Sequence, residues 1–192
     1  LDKTKQVALE NDEKYMAYEI VEFEKLIESQ YITRSMQGRA DELVIQAKEL
    51  NYKNTISSKL SNLSLQLYGI MLKTGYVRSD EEYKYIDDYF NKHISKFDEK
   101  KFGFRERYWY FNANLWRSFL VQDFLSCYKF SHKWVTLFYD NRNMIFLNPV
   151  FFLKGNHYLL ESLFMLKYKT NFKKYLEMLE ETINDPQFPV ND

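Results

Sequence analysis

Five glycines and three prolines in 192 residues leave this chain few places to turn. Average usage would supply roughly 23 of the two together. Those are the residues that reverse a backbone or stop a helix, so their scarcity predicts long uninterrupted elements. The chain also has 16 Tyr, 16 Phe and 3 Trp to bury. Long helices around a core rich in aromatic rings satisfy both facts, and an all-α fold is expected. The same numbers exclude collagen-like and low-complexity disordered chains. A single cysteine, Cys127, excludes an intramolecular disulfide.

Lys+Arg number 27 and Asp+Glu 27, giving no net charge. A protein held to phosphates carries a basic excess, so direct nucleic-acid binding is not expected. The longest apolar stretch, 144–153, is interrupted by Asn148 and Pro149. It falls far short of the roughly 20 residues that span a bilayer, and no membrane association is expected. The opening LDKTKQVALENDEKY has mixed charge and no apolar core of a signal peptide. With nothing pointing to an oxidising compartment, a cytoplasmic location is expected. The chain starts at Leu1, which reads as part of a longer protein.

Apolar residues at helical spacing predict eight segments that fall into four αα-hairpins, 12–52, 54–96, 103–140 and 148–185, in one domain. The first helix carries Met16, Ile20, Phe23 and Ile27 and ends near Tyr31 before a TRSMQG turn. Its partner carries Ala40, Leu43, Val44, Ala47 and Leu50. The second hairpin starts near Asn54 with a stripe of Ile56, Leu60, Leu63, Leu67 and Met71, closed by Gly75 as a left-handed cap. Ser79 and Glu82 then form a capping box. In the third, Phe104, Tyr108, Phe111, Leu115 and Phe119 share a face; in the fourth, Asn148 and Pro149 open a helix. Breaks near Ser79, Gln122 and Thr170 recur at 43 and then 48 residues, a long period that suggests stacked hairpins. A closed multi-helix bundle is the alternative.

Asp123-Phe124 followed by Cys127, and Asn171-Phe172 followed by Tyr175, resemble the D-Y-x-x-A turn that opens the second helix of tetratricopeptide repeats. Leu65, Tyr68, Gly69 and Leu72 match that family's large-x-x-large-small-x-x-large pattern. The resemblance covers 54–186 and is closest to the long-period, degenerate helical repeats found among uncharacterised bacterial proteins. It implies a right-handed superhelix whose first helices line a concave, often ligand-binding, surface.

Chemistry-bearing motifs occur only as fragments. Ser126-Cys127-Tyr128-Lys129 fits S-x-x-K and Lys73-Thr74-Gly75 fits K-T-G, but their order is reversed from that of penicillin-recognising serine enzymes. His93, His132 and His157 lie far apart and lack metal-ligand spacing. The carboxylate pairs Glu81-Glu82 and Asp87-Asp88 are sequence neighbours that point about 100° apart on a helix. No glycine-rich phosphate loop is present. Neither an enzyme, a metal site nor a cofactor is expected.

One pattern points to recognition. With Tyr108, Phe111, Leu115 and Phe119 inside, Arg105, Trp109, Asn112 and Trp116 form a second stripe on the same helix. Matching positions are Asn62 and Gln66 in the second hairpin and Lys154 and His157 in the fourth. Amide and cationic donors beside indole rings suit a peptide, whose acceptors they satisfy while the rings cover its apolar side chains. The expected function is therefore a non-enzymatic protein- or peptide-binding scaffold, with self-association through uncapped end hairpins possible. Two other readings stay open: the tryptophans complete a two-sided core, or the chain is the ligand-sensing domain of a bacterial transcription factor without its DNA-binding part.

Overall fold

The computed structural model describes residues 1–30, 38–94 and 97–189. All regular secondary structure among them is helical: α1 (Asp2–Glu10), α2 (Lys14–Gln30), α3 (Arg39–Thr74), α4 (Asp80–Ile94), α5 (Phe104–Leu120), α6 (Phe124–Asp140), α7 (Arg142–Leu147), α8 (Pro149–Met165) and α9 (Lys169–Ile183), with a 3-10 turn at Glu99–Lys101. The fold is all-α, as the scarcity of breakers requires. The expected helix end at Tyr31, most of the TRSMQG turn and the last residues of the chain lie outside the described residues. The chain divides into two compact units, Leu1–Lys59 and Leu60–Asp192.

Three differences from the sequence reading concern the first unit, the first being that Met16, Phe23 and Ile27 of the stripe expected for α2 are exposed while Ala17 and Val21 are buried in their place. Helix α1 is not expected from the sequence, because Val7, Ala8 and Leu9 alone make no stripe; what it buries is Ala8 and the whole Lys5 side chain, ammonium included. The break expected at 51–53 is absent, so the second and third predicted helices are one, α3. Asn51 and Asn54 are weak helix formers, yet neither clashes with a helical backbone as Pro would, and packing overrides a few tenths of a kcal/mol. The unit's core is Ala8, Ala17, Val21, Leu43, Ala47 and Leu50. Beside it Glu24 is buried, accepting from Lys5 Nζ at 2.7 Å and lying 3.4 Å from Arg39. Lys5 also donates to Gln46 Oε1 at 3.0 Å.

The reversals α1–α2, α5–α6 and α8–α9 share one backbone design. Asp12, Gln122 and Lys167 each take a left-handed conformation, with φ of 57°, 57° and 59°. The residue after each donates back five positions along the chain: Glu13 to Ala8, Asp123 to Ser118 and Tyr168 to Leu163, at 2.8, 2.9 and 3.0 Å. Each of those residues then accepts from the first turn of the next helix, from Ala17, Cys127 and Phe172. This is a Schellman closure whose last residue is also the next helix's N-cap. It shifts the fourth hairpin's break from Thr170-Asn171 to 166–168, leaving Thr170 and Asn171 in the first turn of α9, where such residues are tolerated. Gly75, at φ 72°, ends α3 as expected. Ser79 accepts from Glu82 N at 3.2 Å, while the Glu82 carboxylate reaches Arg78 N rather than Ser79 N.

In the second unit α4 packs on α5, α5 on α6, α6 on α8 and α8 on α9. Its main core gathers Tyr108, Phe111, Leu115, Phe119, Cys127, Trp134, Phe138 and Phe152. Leu63, Leu67, Ile86, Phe90, Ala113 and Leu120 form a second cluster. The short α7 occupies what the sequence left as a connection, burying Met144 and Ile145. Helices α6 and α8 approach closely because residue 155 is glycine. A Cβ there would stand 2.9 Å from Cδ1 and Nε1 of Trp134. Gly155→Ala should cost about 1–3 kcal/mol by overpacking, read as a lower urea midpoint with an unchanged slope.

Candidate functional site

The two faces predicted for α5 separate in part, Asn112 excepted. Tyr108, Phe111, Leu115 and Phe119 are buried, while Arg105, Trp109 and Trp116 are half-buried. Trp116 sits between rings from two other helices: Tyr68 of α3 at 4.8 Å between centroids and Tyr158 of α8 at 5.6 Å. Helices α3, α5 and α8 therefore contribute one ring each to a single aromatic cluster. Trp109, earlier on α5, packs edge-on against Tyr108 at 4.7 Å and Phe151 at 6.3 Å.

The polar candidates divide. Asn62 and Gln66 are exposed on α3, and Gln66 Oε1 accepts from the Tyr89 hydroxyl at 2.6 Å. Lys154 and His157 are exposed on α8, His157 lying 3.8 Å from Glu161. Asn112 differs from expectation. It is buried, and its Oδ1 accepts from the Ser64 hydroxyl at 2.6 Å. Its line on α5 is the one that meets α3, so its side chain ties two helices together and is not open to a ligand. Tyr68 and Tyr158 were missing from the sequence reading. Tyr68 lay inside the repeat-like pattern, and Tyr158 adjoins His157, but nothing in their spacing marked them as neighbours of Trp116.

No family model, curated protein or solved structure matches this chain. Its chemistry is therefore read from its own groups. Burial and the nearby Glu161 raise the Tyr158 hydroxyl above its ordinary range, and burial does the same for Tyr108. Both remain neutral donors at physiological pH. Burial also pushes the Cys127 thiol up to about 12, which suits a small core residue and not a nucleophile.

The enzyme-like fragments are accounted for by helix ends. Ser126 N donates to the capping Asp123 carboxylate at 3.0 Å, so S-x-x-K is the first turn of α6. Thr74 Oγ1 donates to Ile70 O at 3.0 Å, so K-T-G is the last turn of α3. The histidines stay apart: His93 Nδ1 lies 2.7 Å from Tyr89 O, and His132 Nε2 lies 2.7 Å from the Tyr175 hydroxyl. Among the described residues no group of three or more His, Cys, Asp or Glu side chains could hold a metal ion, and no helix is long and apolar enough to cross a membrane.

Proposed function

We propose that the second unit is a tetratricopeptide-like stack of hairpins, superhelical in the right-handed sense, that binds a peptide or protein segment without catalysing a reaction. The observation that carries this reading is Trp116, held half-exposed between Tyr68 and Tyr158 on three different helices. A rigid aromatic surface of this kind covers a partner's apolar side chain at low entropic cost, since the rings are already fixed by one another. On the flanking helices, Gln66 and Asn62 of α3 carry exposed amides, and Lys154 and His157 of α8 an exposed ammonium and imidazole. Amides suit a partner's backbone carbonyls; cations suit its carboxylates. The single, buried thiol supports a cytoplasmic setting.

The test is selection of a random displayed-peptide library on the immobilised chain, followed by affinity measurement on a selected peptide. Replacing both Trp109 and Trp116 with Ala should weaken that peptide at least about 30-fold, the loss of a hot spot worth roughly 2 kcal/mol, while helical circular dichroism stays the same. A collapse of helicity on the same change would assign both rings to the core and remove the binding wall. Failure to select any peptide whose binding depends on them would do so too.

A further inference from the structure

We infer that a hollow beside the α8–α9 reversal, apart from the Trp116 wall, is a binding site for an amphiphilic carboxylate: an acyl chain of medium length with a free acid head. The hollow has a volume of about 480 Å³ and is lined by Leu163, Phe164, Met165, Phe172, Lys167 and Lys169. That volume falls within the range of small-molecule sites, and the lining has their usual character, an apolar body with a few polar groups to one side.

The charge pattern selects the head group. Lys167 and Lys169 stand two residues apart in the reversal, no carboxylate lines the hollow, and neither lysine is in an ion pair among the described residues. Phe164 is 72% and Met165 45% exposed, apolar surface left in water directly beside two cations. An acyl tail covers the first and an acid satisfies the second; an uncharged or cationic amphiphile does only half of this. The floor is preformed. Lys167 N donates to Phe164 O, Tyr168 N to Leu163 O and Lys169 N to Lys167 O, each at 3.0 Å, so the backbone carrying both lysines is fixed before a ligand arrives.

Isothermal titration calorimetry of the full chain with octanoate, decanoate and dodecanoate, each below its micelle concentration, tests this. One molecule should bind per chain, tightening about fourfold for every methylene added. Decylammonium, with the same tail and the opposite head, should bind at least about tenfold more weakly than decanoate. K167Q/K169Q changes only exposed residues and should weaken decanoate about tenfold. M165E places a like charge on the tail's path and should abolish saturation with helicity retained. The proposal is overturned by absence of saturable binding, by decylammonium matching decanoate, by affinity that ignores chain length, or by both variants binding decanoate like the parent chain. An acidic aromatic peptide binding here where no acyl carboxylate does would equally overturn it. Peptide capture at Trp116 is unaffected by any of these outcomes.

Discussion

Trp134→Ala should destabilise the second unit by about 3–5 kcal/mol, the cost of emptying a large aromatic site in a core that cannot fully collapse. Trp134 is fully buried, with Tyr108 edge-on at 4.9 Å and Tyr158 at 6.0 Å. Its Nε1 has no hydrogen-bond partner among the described residues. The loss is therefore one of packing alone, and Trp134→Phe, which keeps a ring, should retain much of the stability. Phe also lacks the pyrrole atoms that crowd Gly155. In the double variant it should relieve the Gly155→Ala strain, so the two changes cost less together than their sum. Urea titration followed by the fluorescence of Trp109 and Trp116 measures this, since all three tryptophans belong to the second unit. A Trp134→Ala cost below about 1 kcal/mol would contradict the packing described for α6 and α8.

Glu24→Ala should be comparably damaging in the first unit, at about 3–5 kcal/mol, because it strands Lys5 beneath the surface. Glu24 and Lys5 are 6% and 10% exposed at their side chains, and their 2.7 Å contact is supplemented by Arg39. Removing the carboxylate leaves Lys5 with Gln46 and the exposed Asp2. Glu24→Gln keeps an acceptor and should cost less. Hydrogen exchange is the suitable measurement: the amides of Leu43 and Ala47 should open about two to four powers of ten more often in Glu24→Ala. Unchanged protection would mean that the ion pair contributes nothing to this core.

The sequence carried the fold class and the inner face of most helices, because both follow from what the chain lacks and from spacing. Too few breakers leave little but helix, and the stripe from Tyr108 to Phe119 is buried as its period requires. The predicted ends fared well where a side chain makes the cap, as Asp123 does for Ser126, or where glycine does, as at Gly75. They failed where the backbone alone makes the turn. Lys167 in a left-handed conformation has no signature in the letters, whereas Thr170-Asn171 reads as a break and is helical. Helix α1 was missed because a charged pair, not an apolar stripe, anchors it.

The candidate site was half legible. Period alone separated Trp109 and Trp116 from the core stripe of α5, but it could not tell Asn112, held by Ser64, from residues left open. Nor could it place Tyr68 and Tyr158 against Trp116. Those contacts depend on how three helices approach, which is a property of cross-helix packing and not of any one segment.

The three matching reversals have a consequence for how this architecture varies. Asn-Asp-Glu, Val-Gln-Asp and Leu-Lys-Tyr all trace the same bend through carbonyls and amides that every one of these residues possesses. Spelling at these corners is consequently free to drift while the geometry persists. Unlike residues can then make one and the same corner, because the main chain alone supplies its bonds.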